Sequence, residues 1–387
     1  MFHLIFGIPW LVVLIRFIQP LPWNWSAKAS LAILLLVTSQ FHLVSRLSSG
    51  SVFDPEFSRP LVIAFNVLFG AIVLLAVFQI ALDVVSLAII PFKGGFPSAP
   101  AGLRYAIGVL AIGLSAYGVS QAIRVPPLND IEIPVAGLPP EFDGYRMIQL
   151  TDLHISRLFP AAWTKEVVSR TNALGADLIV ITGDFIDGGV AHRRNDVAPL
   201  AGLKAPDGVY AIPGNHEYFF DFQEWMRHLD MLGMRMLSNS HVILKRGNAE
   251  VVLAGVTDFS ARGHGAPPTD LVAAIKRAPA NTPILLLDHQ PMMAEKAAAS
   301  GVALQLSGHT HGGMVPGLDR LIARANGGFV SGRYQVGAMT LYVNNGTAIW
   351  PGFALRLGVP SELTRITLRA KTSDLHARGP AHSTASA

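Results

Sequence analysis

The sequence predicts an N-terminal bundle of about four transmembrane helices followed by an α/β domain, with strands in the inner layers and helices outside. Of the 387 residues, 51% are hydrophobic and only 14% are charged, and the mean hydropathy is +0.41, which is too apolar for an ordinary soluble protein. The apolar excess falls in the first third of the chain. From Tyr145 onward, short apolar runs alternate instead with helical patterns.

The first third contains four apolar segments, at residues 2–18, 29–44, 61–90 and 103–123. Each approaches or exceeds the roughly 20 residues that a spanning helix needs. Aromatic residues typical of a membrane interface lie near their ends. A cleaved signal peptide is an alternative for the first segment, but no small-residue cleavage site follows it. Asp83 is either a functional intramembrane carboxylate or, as we expect, a residue near the interface.

Four spans would place the N-terminus and the globular domain on the same side of the membrane. The flanking basic residues favour an outward-facing globular domain by four to three. They are Arg16, Lys28, Lys93 and Arg104 on one face, and Arg46, Arg59 and Arg124 on the other.

The proline pair Pro126-Pro127 marks the end of the apolar part of the chain. We expect a transmembrane domain at 1–125, an α/β domain at 126–370 and a disordered tail at 371–387. The predicted strands are an edge strand at 131–135 and then 147–150, 178–181, 209–212, 251–256, 284–287, 304–306, 339–343 and 364–368. The predicted helices of this domain are 161–174, 222–232, 271–277 and 292–300, and only strands are expected beyond Gly313.

Charge and cysteine content exclude several classes of function. The net charge is +4 and no basic run stands out, so nucleic acid is not expected as a stable partner. Cysteine is absent, which excludes disulfides and thiolate metal sites. Any metal must therefore be bound by His, Asp, Glu or Asn.

Five predicted strands each end in Asp, Asn or His, at the edge where open α/β sheets form their ligand crevice. Each residue alone has an ordinary structural explanation, such as a helix cap, a turn residue or a buried core histidine. Five such strand ends together indicate a site. The residues are Asp152 and His154, Asp184 and Asp187, Asn215 to Glu217, Asp288 and His289, and His309 and His311.

These motifs, in this order, resemble those of the calcineurin-like metallophosphoesterases: D-x-H, G-D-x-x-D, G-N-H-E/D, an isolated H, and G-H-x-H. The resemblance runs from about Ile131 to Leu368 and is strongest to a bacterial subgroup in which the domain follows an export signal or membrane helices. The stretches GVYAIPGNHEY and SGHTHGG are similar to that subgroup, whereas Met314 stands where many relatives have Gln. The resemblance implies a layered β-sandwich core flanked by helices, in a multi-pass protein of the bacterial cytoplasmic (inner) membrane.

The resemblance also implies two divalent metal ions. Asp152, His154, Asp184 and His311 would bind one, and Asp184, Asn215, His289 and His309 the other, with Asp184 bridging. Oxygen and imidazole ligands without thiolate suit Mn, Fe or Zn. A hydroxide bridging the two ions would attack phosphorus.

Three further residues have expected supporting roles. His216 is the expected catalytic residue, protonating the leaving group or stabilising the transition state. The alternative is a structural histidine tied to Glu217. Asp187 and Glu217 are expected to orient the ligands or their loops.

The predicted activity is that of a membrane-anchored two-metal phosphohydrolase, a phosphodiesterase rather than a phosphomonoesterase. The expected partners are the lipid bilayer and a phosphoester substrate, with a lipid-linked phosphate as one option. Apolar residues after His311, among them Met314, Leu318 and Leu321, would then face acyl chains or else pack under a loop. Alternative functions are a hydrolase of UDP-diacylglucosamine-type lipid pyrophosphates, a non-catalytic metal-binding membrane scaffold, and a channel or transporter with a regulatory domain. Basic residues that either contact phosphate or are solvated are His192, Arg193, Arg194, Arg262, His264, Arg320, Arg324 and Arg333.

Overall fold

The computed structural model describes residues 2–93 and 99–371, so the predicted tail lies outside the described residues except for Lys371. The helices are α1 (Phe2–Val13, continued by a π-helical turn at Leu14–Ile18), α2 (Trp25–Ser39), α3 (Phe41–Ser49), α4 (Arg59–Lys93), α5 (Ala101–Ile123), α6 (Ala161–Ala173), α7 (Val190–Val197), α8 (Phe222–Met231), α9 (Leu271–Ile275), α10 (Ala294–Ala299) and α11 (Leu318–Ala325). The strands are β1 (Leu128–Val135), β2 (Arg146–Leu150), β3 (Leu178–Thr182), β4 (Val209–Ile212), β5 (Arg235–Met236), β6 (Ser240–Arg246), β7 (Ala249–Gly255), β8 (Ile284–Leu287), β9 (Val302–Ser307), β10 (Gly332–Val336), β11 (Met339–Val343) and β12 (Leu363–Ala370).

Two of the described helices, α4 and α5, are long and apolar enough to cross a membrane. The pair α2 and α3 forms a third candidate, but its axis bends by 57°. The hydroxyls of Thr38 and Ser39 donate to carbonyls of the preceding turn at 2.9 and 2.8 Å, and such bonds bend helices. The first apolar segment is shorter, at residues 6–18. Asp83, near the far end of α4, bonds the side chain of Arg16 at 2.5 Å.

The α/β domain contains two six-stranded sheets, ordered β1-β12-β2-β3-β4-β5 and β10-β11-β9-β8-β7-β6. As predicted, the strand at 131–135 is an edge strand, since β1 pairs only with β12 in its sheet. Apolar side chains fill the space between the sheets, including Val180 and Ile212 from one and Leu287 and Leu306 from the other. Helices α6, α7 and α8 cover the outer face of the first sheet, and α9 and α10 cover the second. The predicted two-sheet layered fold is confirmed.

The sequence analysis missed strands β5, β6 and β10 and helices α7 and α11. The expectation of strands alone beyond Gly313 was wrong, because α11 lies there. Its apolar residues Leu318, Leu321 and Ile322 follow helical spacing. A helix of only eight residues contains too few repeats of that spacing to be recognised readily in the sequence. The apolar residues after His311 lie in two different environments. Met314 is buried in the cluster on the outer face of the first sheet, whereas Leu321 is 60% exposed.

The hydrophobic helices and the α/β domain share one core. Phe41 of α3, Val62 of α4 and Ala122 of α5 belong to the same buried cluster as the outer face of the first sheet. The segment at 350–357 packs between α4 and α5. The side chain of Asn66 in α4 donates to the carbonyl of Pro351 at 2.9 Å and accepts from the N–H of Ala354 at 2.7 Å. The domain is thus docked directly on the helices.

Candidate metal centre

All seven predicted ligands lie together where β2, β3, β4, β8 and β9 end. At these strand ends, three sets of side chains have potential ligand atoms within 4.8 Å of one another. These sets are Asp152, His154 and His311; Asp184, His289 and His309; and His154, Asp184 and His216. Most of these residues are buried, and His309 is partly exposed.

The first set has a buried nitrogen suited to a metal. Nε2 of His154 is buried and has no hydrogen-bond partner among the described residues. It lies 3.9 Å from Oδ1 of Asp152, and Nε2 of His311 lies 3.7 Å from the same oxygen. A buried polar atom without a partner is costly, so its position beside two other potential ligands fits a bound cation.

The second set also fits a cation. Nδ1 of His289 lies 2.7 Å from the carbonyl oxygen of Thr182, which accepts a hydrogen bond from it. That bond leaves Nε2 facing the carboxylate of Asp184 at 3.2 Å and the amide oxygen of Asn215 at 3.1 Å. A lone electron pair on Nε2 would be repelled by these two oxygens unless Nε2 carried a proton or a metal ion lay between the nitrogen and the oxygens.

Asp184 lies between the two sets. Its Oδ2 is 3.2 Å from Nε2 of His289, 3.7 Å from Nε2 of His154 and 4.0 Å from Nε2 of His216. Burial alone would raise the pKa of this carboxyl, but the neighbouring histidines hold it well below its usual range. The carboxylate is therefore ionised and lies between the two sets of potential ligands.

The backbone at the site is strained. Asp152, His154, Asp184, His309 and His311 have φ values of 51°, 41°, 55°, 70° and 50°, in the left-handed region that non-glycine residues rarely adopt. Such strain persists only where the surroundings enforce it, and it is typical of functional sites. At His309 and His311 the histidines themselves adopt the left-handed conformation of the turn. Gly308 is required for another reason, since a Cβ there would lie 2.2 Å from Oγ1 of Thr151.

Asp187 positions two histidines at once. Its Oδ2 lies 3.0 Å from Nδ1 of His154, and its Oδ1 lies 2.5 Å from Nδ1 of His216. Glu217 instead accepts hydrogen bonds from the backbone N–H groups of Asp184, Phe185 and Gly214, at 3.0, 2.8 and 2.6 Å. The side-chain partner of His216 is thus Asp187, and Glu217 fixes the loops that present the ligands.

The charges around His216 favour its protonated form. Burial lowers the pKa of this imidazole, but Asp184 and Asp187 outweigh burial and raise it to about 9. Its Nδ1 is bonded to Asp187, and its Nε2 lies 4.0 Å from Oδ2 of Asp184. A ligand atom of His216 also lies within 4.8 Å of ligand atoms of His154 and Asp184, as the third set shows.

Three residues at the site were missed or misjudged from sequence. The ring of Phe53, in the loop between α3 and α4, lies 5.1 Å from that of His216, centroid to centroid. Arg356 is fully buried and donates to the carbonyl of His311 at 3.0 Å. Arg193 is buried rather than solvated: it pairs with Asp54 at 2.9 Å and with Glu56, and its Nε donates to the carbonyl of Asp187 at 2.9 Å. No local pattern marks such contacts, because their partners are remote in sequence.

The two-sheet fold and the cluster of His and Asp at its strand ends define a metal-dependent phosphoesterase, and comparison with known proteins specifies its family. Residues 145–313 match the model of the calcineurin-like phosphoesterase family. An uncharacterized metallophosphoesterase of Helicobacter pylori strain J99 is 30% identical over 271 residues, covering 70% of this chain and 71% of that protein. Another, YkuE of Bacillus subtilis, is 30% identical over 274 residues, covering 68% and 93%. The chain belongs to the calcineurin-like metallophosphoesterase family, which confirms the resemblance.

A Danio rerio relative is named a transmembrane protein with metallophosphoesterase domain. It is 34% identical over 273 residues, covering 67% of this chain. The chain spans 61% of the length of that relative and 63% of its Bos taurus counterpart. Together with the apolar helices, these names indicate membrane association.

Proposed function

We propose that this protein is a membrane-anchored phosphodiesterase that uses two divalent ions of Mn, Fe or Zn. The observation that most supports the proposal is the position of Asp184 between two buried sets of ligands. Asp152, His154 and His311 would complete one ion's ligands, and Asn215, His289 and His309 the other's. The paired ions would activate water and neutralise charge on the phosphoryl group.

The protein's own groups would position the ions and transfer a proton. Asp187 fixes the rings of His154 and His216 through its two oxygens. Held in this way, His216 would donate the proton on Nε2 to the leaving oxygen of the ester. Glu217 and Asp187 would act only by positioning, since their oxygens are engaged with backbone N–H groups or imidazoles.

We favour a diester as the substrate because it has less negative charge than a monoester. A monoester is mostly dianionic at neutral pH, whereas a diester has one negative charge. The two buried arginines near the site are already engaged: Arg193 pairs with Asp54, and Arg356 binds backbone carbonyls. Neither is available to bind a second phosphate charge.

The membrane arrangement is part of the proposal. We infer four spans in residues 1–125, a catalytic domain in 126–370 and a tail from 371, in a multi-pass protein of the bacterial inner membrane. The catalytic domain would face outward, as the flanking basic residues favour. Packing of Phe41, Val62 and Ala122 into the domain's core supports a fixed position beside the bilayer.

The test uses full-length protein in detergent, loaded with Mn, Fe or Zn in turn. We expect hydrolysis of bis(p-nitrophenyl) phosphate at a higher kcat/KM than p-nitrophenyl phosphate, and loss of both activities on chelation. A folded protein that binds the ions but hydrolyses neither ester would favour the scaffold alternative. A preference for the monoester would reject the diester assignment alone.

A further inference from the structure

We propose that the hydrophobic helices supply part of the substrate site, and that the substrate is a lipid phosphodiester. Its acyl chain would lie along an aromatic wall formed by Phe53, Phe219 and Trp350. This inference rests on the proposed function, because the phosphodiester group would be bound at the metal centre. To the proposed function, this inference adds the chemical class of the substrate and a residue, Phe53, that selects that substrate.

The aromatic wall begins directly beside the catalytic histidine. The ring of Phe53 stacks on that of Phe219 at 4.7 Å with an interplanar angle of 10°, and lies 5.8 Å from the ring of Trp350. The rings of Phe53 and Phe219 lie 5.1 and 5.2 Å from the ring of His216. Phe219 is 37% exposed and the other two are partly buried, so the wall has apolar surface open to a ligand. A ligand with an apolar portion would remove that surface from water.

The loop that contains Phe53 is fixed in place. Asp54, the next residue, is buried and pairs with the fully buried Arg193 at 2.9 Å. Glu56 also pairs with Arg193, and with Arg157 at 2.6 Å. The loop fits closely, since a Cβ on Gly188 would lie 2.8 Å from Oδ2 of Asp54. Phe53 is therefore a built component of the site, supplied by the membrane part of the chain.

The segment that follows Trp350 contacts α5 near the C-terminal end of that helix. The N–H of Arg356 donates to the carbonyl of Gly118 at 3.1 Å, and a Cβ on Gly118 would lie 2.6 Å from Cδ1 of Leu355. Gly118 lies five residues before Ile123, the end of α5, or about 8 Å along the helix axis. Since α5 has only 23 residues and a span needs roughly 20, that contact lies near the edge of the apolar layer.

The segment docked there begins at Trp350, a member of the wall. A lipid in the adjoining leaflet could therefore place its phosphodiester at the metal centre while its chain stays against aromatic rings. A small hydrophilic ester would gain no binding free energy from contact with this apolar surface. The position of the wall, between the bilayer and His216, thus favours an amphiphilic ligand.

The test compares esters with the same scissile bond, using full-length protein in bilayer nanodiscs. The substrates are hexadecyl p-nitrophenyl phosphate, methyl p-nitrophenyl phosphate and the p-nitrophenyl ester of thymidine 5′-phosphate. We expect the hexadecyl ester to have the highest kcat/KM. Phe53→Ala should lower the hexadecyl-to-methyl ratio about tenfold, the effect of losing one good apolar contact. Both proteins meet the same bilayer, so partition of the ester cancels in this comparison.

Phe92→Ala is the matched control, because Phe92 is 88% exposed near the opposite end of α4. It should leave the ratio unchanged. Equilibrium binding of a radiolabelled, hydrolysis-resistant hexadecyl phosphonate provides a readout independent of turnover, and Phe53→Ala should weaken it similarly. Metal content and thermal unfolding establish that each variant is folded, and Phe53→Leu, which retains apolar surface, should recover most of the ratio.

The possible failures are distinguishable. If no ester is hydrolysed, the proposed function is wrong. If the methyl ester or the thymidine ester is preferred, or if Phe53→Ala in folded protein leaves both the ratio and phosphonate binding unchanged, the lipid inference alone is overturned.

Discussion

Arg356 connects the last hydrophobic helix to a predicted metal ligand, His311. Its guanidinium donates to the carbonyl oxygen of His311 at 3.0 Å, while its backbone N–H donates to Gly118 of α5 at 3.1 Å. The same guanidinium also donates to the carbonyls of Asn345 and Ala348, at 2.6 and 3.0 Å. Burial lowers the pKa of this arginine to about 10. The side chain of Arg356 thus joins the turn at His311 to the loop at 345–348, and its backbone makes the contact with α5.

Replacing Arg356 should therefore weaken the metal site. Lysine has a single point of attachment and cannot satisfy several carbonyls at once. We expect Arg356→Lys to weaken binding of the ion held by His311 by about 10–100-fold, the usual effect of losing a group that orients a ligand. Competitive metal titration measures this. Arg320→Lys, an exposed change at α11, is the control, and equal metal affinity in the two variants would refute the role of Arg356.

Asp184→Ala should abolish binding of both ions. Its carboxylate oxygen lies within 3.7 Å of His154 and 3.2 Å of His289, which belong to different predicted ion sites. Asp152→Ala is the matched comparison and should remove one ion only, because the ligand atoms of Asp152 group only with those of His154 and His311. Elemental analysis of the purified proteins gives the stoichiometry. Two ions retained by Asp184→Ala would exclude a bridging role.

His216→Ala should keep both ions and lower turnover of a phosphodiester by about 10²–10⁴, the usual contribution of general acid–base catalysis. Kinetics and metal analysis on the same sample separate the two roles. His192→Ala serves as the control, because the side chain of His192 is 54% exposed and lies beside Asp54 rather than beside a predicted ligand. Loss of an ion from His216→Ala would make His216 a ligand.

Gly308→Ala should damage the site through steric overlap. The added Cβ would lie 2.2 Å from Oγ1 of Thr151 and 2.3 Å from Oδ2 of Asp152, and both groups are buried. We expect a loss of about 1–3 kcal/mol in the free energy of unfolding, together with weaker metal binding. Gly263→Ala, where a Cβ meets nothing within 4 Å, should be neutral in thermal unfolding. Similar stability of the two variants would argue against this close packing.

Much of the fold was predictable because buried strands leave short apolar runs in the sequence. Strand β4 and strand β8 match their predicted ranges, and the polar residues that follow β2, β3, β4, β8 and β9 converge at one place. Parallel strands bring their carboxyl ends to the same edge of a sheet, which explains the convergence within each sheet. The packing of the two sheets against each other then brings the two edges together.

The contacts between the helices and the site were not predictable in this way. Phe53 lies in a loop between two apolar helices, and nothing near it in the sequence indicates His216 as its neighbour. Gln40 marks a bend in a segment that hydropathy alone reads as continuous. Docking depends on pairs such as Asn66 with Ala354, which form only when distant segments pack together.

The central claim, a two-metal phosphodiesterase, is tested most directly by titrating metal into full-length, chelator-treated protein while following diester hydrolysis. The account predicts that about two equivalents of Mn, Fe or Zn bind and that hydrolysis reaches its maximum only with the second. Full activity at one equivalent, or no binding to folded protein under any loading condition, would contradict it.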